Sequence, residues 1–436
     1  MTELRRTLGL LDATTINLGT IIATGIFIVP ATIAQALPAT GPIVLVWIVG
    51  AAVSLLGALC LAELGAAYPA AGGLFVYLRE AWGPVWGYLY GWTTAIVINP
   101  AAIAAIAVGF ATYAGFFLPL SPWGIKAVAV ASIATLTALN CVGIRAGVVT
   151  QNVLTILKAA LLVGLVAVAF ALPGGGLGNL RPLWIHGGPG MAGFALATVA
   201  VLWTFDGWIE ITYVGGEVRD PGRVVPRSII LATLLAAALY LVVTLAFLYV
   251  LSPAGTAASA LPASDAARAT LGPLGAGLVA AAIMISAFGA NNGIILTSAR
   301  IPFAMAREGR FFRSVGTLHP RRGTPVTSLV QQGVVASALT LTGTYDQLIT
   351  YVVFASWIFY AMGALAVMRL RRSAPDLDRP YRTWGYPVTP VVFILFALAL
   401  VAATVVETPR EAGVGIVLIL AGLVPYRFWS RRAAAA

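Results

Sequence analysis

The sequence predicts an all-α integral membrane protein with twelve transmembrane helices, and three observations support this fold class. Hydrophobic residues make up 60% of the chain and charged residues only 9%, whereas a soluble domain carries about 25% charged residues. Uncharged windows of about 20 residues, such as 43–61 and 229–251, recur along the chain, and each can cross ~30 Å of hydrocarbon. Proline, glycine and charged residues separate the windows at short intervals, so we expect a single membrane domain over residues 1–436.

The apolar runs and the residues that separate them predict each helix in turn. The candidate spans are residues 9–35, 41–67, 84–118, 124–142, 147–172, 190–216, 227–251, 272–306, 325–343, 346–371, 386–406 and 411–429. Connections between the spans are short, and the longest ones on the outer side are residues 172–190 and 251–271.

The distribution of basic residues predicts the orientation of the chain. Most arginines fall at alternate ends of the spans, and only Lys126, Arg181, Arg268 and Arg410 fall at the opposite ends. The positive-inside rule then places both termini in the cytoplasm, with the chain in the cytoplasmic (inner) membrane. Because the basic residues are explained in this way, the net charge of +11 does not indicate a nucleic-acid partner.

The first span is interrupted in its middle by LGTIIATGIF, residues 18–27, which holds Gly19, Thr20, Thr24 and Gly25. Non-helical backbone at membrane depth survives only where protein or a water-filled cavity satisfies its N–H and C=O groups. A break here exposes the carbonyls of one half-helix and the N–H groups of the next. These groups fit the ammonium and the carboxylate of a zwitterion, so we expect the chain to carry amino acids across a membrane.

The sixth span repeats this feature. The stretch WTFDGW, residues 203–208, places Asp206 and Gly207 in the middle of the span, and an ionisable residue at that depth indicates a functional site. Paired interruptions in corresponding spans are the best sequence indicator of a transporter's binding site. We therefore expect two structural repeats, at about residues 9–172 and 190–371, with the last two helices at about 386–429 outside them.

Lys158 lies well inside the fifth span, too far from either end to reach the interface comfortably. Its ammonium could take the place of a sodium ion, bridging carbonyls of the first helix and a hydroxyl of the eighth helix such as that of Ser286. A buried lysine can also lose its proton, so proton coupling is an alternative. A position nearer the cytoplasmic interface is the other alternative.

Five motifs in order resemble the amino acid–polyamine–organocation superfamily, and within it the bacterial relatives of the LAT-type L-amino acid transporters. The motifs are GTIIATGIF at 19–27, CLAELGAAYPAAGGLFVYL at 60–78, WTFDGW with GGEVRDPGRVVPRSI at 203–229, SAFGANNGIILTSARIPFAMAREG at 286–309, and RPYRTWGYPVTP at 379–390. The resemblance covers nearly the whole chain. It implies a LeuT-like fold, in which two five-helix repeats of inverted topology have discontinuous first and sixth helices, and transport by alternating access.

The resemblance also implies roles for individual residues. The substrate carboxylate would bind N–H groups of Ala23, Thr24, Gly25 and Ile26. The substrate ammonium would face carbonyls of Ile21, Ile22, Trp203, and Thr204 or Asp206, beside Gly207. Trp203 would be the aromatic gate, Tyr240 a tyrosine near the inner gate, and Lys158 the lysine that stands where sodium-coupled relatives bind an ion. Ordinary packing is the alternative for Trp203 and for Tyr240.

The resemblance implies an amino acid exchanger that needs no sodium, with neutral amino acids favoured. Asp206 could pair with a cationic substrate, or it could be hydrogen-bonded away from the ligand or protonated, which would leave a site for neutral substrates. The animal relatives join a heavy chain through a cysteine between the third and fourth helices, and residues 115–125 contain none, so we expect no disulfide-linked partner. Proton symport is the alternative mechanism, and a membrane sensor of amino acids is the alternative class.

Other polar residues predict no chemistry. His186 and His319 lack metal partners at ligand spacing and no Walker-type loop occurs, so we expect neither an enzyme nor a cofactor. Cys60 and Cys141 are interpreted as small packing residues. Glu63 is interpreted as structural, and residues 217–227 as a solvated loop with gate pairing.

Overall fold

A computed structural model describes residues 4–185, 190–342 and 345–434. His186 lies outside these residues. The described residues form the helices α1 Leu10–Ile21, α2 Gly25–Ala36, α3 Thr40–Ala67, α4 Leu74–Trp82, α5 Pro84–Thr93, α6 Asn99–Ala114, α7 Pro122–Val142, α8 Ile144–Ala171, α9 Met191–Thr204, α10 Glu210–Tyr213, α11 Pro221–Ala258, α12 Pro262–Leu271, α13 Pro273–Ser298, α14 Arg300–Arg307, α15 Val326–Thr342, α16 Tyr345–Ser373, α17 Val388–Glu407, α18 Pro409–Ala421 and α19 Leu423–Ala434.

The helices agree with the predicted spans. Within the described ranges, eight helical segments are long and apolar enough to cross a membrane, and α1 with α2 forms a ninth span that bends by 43°. Every candidate span contains at least one helix, so the prediction of an all-helical, multi-pass membrane protein is confirmed. Two short helices were not predicted from the sequence: α4 lies between the second and third spans, and α12 lies in the outer connection 251–271.

α1 packs against α8, α11 and α13, and a small residue on α1 allows this close approach. A Cβ atom added at Gly19 would lie 2.1 Å from Nε2 of Gln151 and 2.2 Å from Oγ1 of Thr155, both on α8. Small residues commonly allow such close contact between membrane helices. The contact places the middle of α8, which carries Lys158, next to the C-terminal end of α1.

One end of the bundle is closed by a buried ion pair, and we call the pair with its neighbours Thr7 and Leu8 the sealed end. Arg300 donates from Nε and Nη2 to the two carboxylate oxygens of Glu217, at 2.9 and 3.1 Å, and each side chain is 1% exposed. The N–H groups of Thr7 and Leu8 donate to the Glu217 carbonyl. The expectation of a solvated loop is therefore wrong for Glu217, because an arginine 83 residues away encloses it.

Glu63 ties the body of the bundle to the segment before α17. Its carboxylate accepts from Nε and Nη2 of Arg371 at 2.9 and 2.6 Å and from the N–H of Thr383 at 2.7 Å. Arg379 lies 3.5 Å away. The buried carboxylate is thus satisfied by structural partners, which supports the structural interpretation of Glu63.

Candidate functional site

The first break lies at residues 22–24, between the end of α1 at Ile21 and the start of α2 at Gly25. The N–H of Ala23 donates to the Ile21 carbonyl at 2.8 Å, and Thr24 caps α2 without a side-chain hydrogen bond. The first N–H groups of a helix have no intrahelical acceptor. The start of α2 therefore offers backbone donors and a positive partial charge, although the Ala23 N–H already has an acceptor.

The second break lies at residues 205–209, between α9 and α10. Gly207 has φ 109°, a conformation that side chains rarely adopt, and an added Cβ atom would lie 3.0 Å from backbone and side-chain atoms of Thr20. The Thr20 hydroxyl also donates to the Gly207 carbonyl at 3.1 Å. Glycine is therefore required here both by conformation and by the close approach of α1. The predicted discontinuity of both spans is confirmed.

A cavity of about 100 Å³ lies between the two breaks. Its lining includes most of the residues predicted to bind substrate: Ile21, Ala23, Thr24, Gly25, Trp203, Thr204, Asp206 and Gly207. Ile22 and Ile26 are outside the lining, and their side chains are fully buried. We call this space the central cavity. Three other predicted residues lie outside the lining and contact backbone carbonyls at the breaks: Lys158, Ser286 and Tyr240.

Lys158 binds backbone carbonyls at the C-terminal end of α1 from outside the central cavity. Its Nζ donates to the carbonyls of Gly19 and Ile22, the latter at 2.6 Å, and lies 3.3 Å from the carbonyl of Ser286. The side chain is 1% exposed and reaches the break in the first span, which supports the predicted position behind that break. A cation at this point compensates the negative end of a helix dipole and satisfies carbonyls that the break leaves unpaired.

Ser286 contributes in a different way from the one expected. Its hydroxyl lies 3.1 Å from each of the carbonyls of Ile22 and Ala23, whereas Lys158 reaches the backbone carbonyl of Ser286 and not its hydroxyl. The carbonyl of Ile22 thus already accepts from two donors. The structure therefore gives no support to Ile22 as an acceptor for the substrate ammonium.

Tyr240, on α11, joins the two breaks. Its hydroxyl lies 2.7 Å from the carbonyl of Ile21 and 3.2 Å from that of Thr204, and its ring packs against Trp47 and Phe205. A single hydroxyl hydrogen cannot fully satisfy both carbonyls. The Ile21 carbonyl also accepts from the N–H of Ala23, so of these two carbonyls it is that of Thr204 that keeps capacity to accept a further donor, as an ammonium binding there would require.

Trp203 and Thr24, together with Ala105 and Ile106 of α6, line both the central cavity and a second space of about 570 Å³. The second space, which we call the vestibule, is also lined by Asp265 and Arg268 of α12. Arg268 is one of the few basic residues predicted on the outer side. The position of Trp203 agrees with a gate between the vestibule and the central cavity, and the gating role stays a prediction.

Two carboxylates line the central cavity, and the sequence analysis considered only one of them. Oδ1 of Asp206 accepts from the hydroxyl of Tyr360 at 2.8 Å, and Oε2 of Glu210 accepts from the hydroxyl of Thr297. The signal for Glu210 was available, since it is a second acid in an otherwise apolar span. The tyrosines Tyr90, Tyr213 and Tyr360 complete this part of the lining, with the hydroxyls of Tyr90 and Tyr213 2.6 Å apart.

Comparisons with known proteins agree over nearly the full length of the chain. The family model described as "Amino acid permease" matches residues 8–425. The chain is 31% identical to the b(0,+)-type amino acid transporter 1 of Mus musculus, over 98% of this chain and 88% of that protein. It is 30% identical to the serine/threonine exchanger SteT of Bacillus subtilis (strain 168), over 99% and 98%. It is 31% identical to the Asc-type amino acid transporter 1 of Mus musculus, over 96% and 80%.

Proposed function

Because this chain belongs to the amino acid permease family, whose relatives are transporters rather than enzymes, we propose that it exchanges L-amino acids across the cytoplasmic membrane without sodium. The observation that carries the proposal is the central cavity between two broken helices. Its walls offer free main-chain groups of both signs, which match the two charges of an amino acid. The name of one relative, a serine/threonine exchanger, supports exchange as the mechanism.

In the proposed complex the substrate carboxylate binds the N–H groups of Thr24 and Gly25 at the start of α2. The substrate ammonium binds the carbonyl of Thr204, which shares the single hydroxyl hydrogen of Tyr240 with the carbonyl of Ile21. Each charge then meets the helix end of opposite partial charge. Since these contacts involve only the backbone shared by all amino acids, selectivity depends on the other walls of the central cavity.

Lys158 accounts for the independence from sodium in this proposal. Its ammonium already occupies the position behind the first break and binds two carbonyls of α1, so no metal cation is needed to stabilise the broken helix. The loaded carrier changes conformation readily, and the empty carrier returns slowly. Trp203 closes the route from the vestibule, and the sealed end must open for release on the other side.

Preloaded proteoliposomes test this mechanism. Uptake of labelled alanine is measured into vesicles that contain unlabelled amino acid and into empty vesicles, with and without a proton gradient. Exchange predicts rapid uptake only into preloaded vesicles, unchanged when sodium is replaced by choline. Equal accumulation in empty vesicles under a proton gradient would show proton symport instead, and binding without uptake in either case would indicate a sensor.

We also propose that the chain works as a single subunit with both termini in the cytoplasm and with repeats at about residues 9–172 and 190–371. Cys60 and Cys141 are free and buried, and the segment 115–125 offers no cysteine to a heavy chain. Reconstitution of the purified chain alone tests the first point. Full exchange activity is expected, and a strict requirement for a second protein would contradict it.

A further inference from the structure

The central cavity contains two carboxylates and no basic side chain. Asp206 and Glu210 both line it, whereas no lysine or arginine does, and in the described parts of the chain neither acid forms a salt bridge. The buried ammonium of Lys158 is directed at the carbonyls of α1. A buried carboxylate without a cationic partner is costly, so the site requires either a positive ligand or protons.

The two carboxylates differ in how far the protein already satisfies them. Asp206 accepts from the hydroxyl of Tyr360 at 2.8 Å. Glu210 accepts at Oε2 from Thr297, whose single hydroxyl hydrogen is also within reach of the Gly293 carbonyl at 2.9 Å. Its second oxygen, Oε1, has no hydrogen-bond partner among the described residues. Glu210 therefore keeps more capacity to bind a cation than Asp206.

Glu210 lines the central cavity but not the vestibule, and we call this side of the central cavity its floor. α9 ends at Thr204, and Glu210 follows at the start of α10, between the second break and Glu217 of the sealed end. Tyr213, one turn further on, is hydrogen-bonded to Tyr90. A substrate whose carboxylate and ammonium are held at the two breaks would extend its side chain toward this floor.

We propose that Glu210 recognises the positively charged end of a cationic amino acid, a primary ammonium or a guanidinium, while Asp206 is a positioning residue held by Tyr360. This inference rests on the proposed amino acid exchange and assigns its side-chain selectivity. A neutral amino acid binds through the same main-chain contacts and leaves Glu210 without a cationic partner. Cationic substrates therefore depend on Glu210, and neutral ones do not.

The test compares labelled lysine and labelled alanine in exchange by reconstituted Glu210→Gln protein. Loss of a charge-assisted hydrogen bond is expected to lower the lysine-to-alanine uptake ratio about tenfold or more, with alanine exchange retained. Glu210→Asp keeps the charge and should give an intermediate ratio. Asp206→Asn should change the ratio less than Glu210→Gln. Glu407→Gln, the same substitution at an exposed position of α17, is the matched control.

Each outcome separates this inference from the proposed function. If the unaltered protein exchanges no amino acid, the proposed function fails. If alanine exchange persists in Glu210→Gln and the lysine-to-alanine ratio is unchanged, or if only Asp206→Asn lowers it, the role of Glu210 is refuted. If Glu210→Gln loses all exchange, the melting temperature of the purified variant is measured with added alanine and with added lysine to test binding of each amino acid. Stabilisation by alanine but not by lysine supports the role, and equal stabilisation by both overturns it.

Discussion

Replacing Lys158 with alanine removes the cation that binds the end of α1. The stabilisation free energy that is lost can be estimated from the hydrogen bonds of its ammonium. Nζ donates to the carbonyls of Gly19 and Ile22, and a hydrogen bond to a charged group contributes about 1.5–3 kcal/mol. The Ile22 carbonyl keeps the Ser286 hydroxyl as a donor, so we take the lower end of this range, about 1.5 kcal/mol, for each of the two hydrogen bonds. A loss of about 3 kcal/mol corresponds to a decrease of roughly 100-fold in the population with a formed site.

The assay is the initial rate of alanine exchange in proteoliposomes, normalised to the amount of inserted protein. We expect Lys158→Ala to be expressed and inserted, and to exchange alanine at about one hundredth of the original rate. Lys126→Ala is the matched control, because Lys126 is only half-buried and its ammonium contacts the Leu341 carbonyl near the end of α15 and the ring of Trp123, away from the two breaks. Exchange by Lys158→Ala within a factor of about two of the control would refute the assigned role.

Three further substitutions test the breaks and the sealed end. Gly207→Ala should abolish exchange and lower the melting temperature, because the added Cβ atom would lie against Thr20. Gly413→Ala is the control, because a Cβ atom added at Gly413 has no neighbour within 4 Å. Equal exchange and equal melting temperatures of the two variants would contradict this account. Tyr240→Phe keeps the ring packing but removes the hydroxyl that donates to the Thr204 carbonyl and is one of two donors to the Ile21 carbonyl, so exchange should fall about fivefold to tenfold. An unaltered rate in the exchange assay would exclude a role for the hydroxyl. Arg300→Met leaves Glu217 buried without its partner and should destabilise the protein by about 3–5 kcal/mol in thermal or denaturant unfolding. The double variant with Glu217→Gln should recover part of this loss, and no recovery would argue against the ion pair as the cause.

The sequence alone determined the spans and the two breaks, because both depend on local chemistry. Uncharged windows of bilayer length specify helices, and glycine with threonine in an apolar run weakens the helix at that point. The position of Asp206 beside the second break followed in the same way. Gly207, which the sequence places in the interrupted part of the sixth span, lies in the second break with a backbone conformation that needs glycine, and its contact with substrate stays a prediction.

Only the tertiary structure decided which groups at the breaks remain available. Lys158 reaches Ile22 across 136 residues of sequence, Tyr240 reaches Ile21 across 219, and Ser286 reaches Ile22 across 264. These contacts depend on how α8, α11 and α13 pack around α1, which no local pattern of hydrophobicity specifies. The burial of Glu217 against Arg300 and the approach of Thr297 to Glu210 were missed for the same physical reason: a polar group in a membrane protein is satisfied by whichever helix packing brings near it.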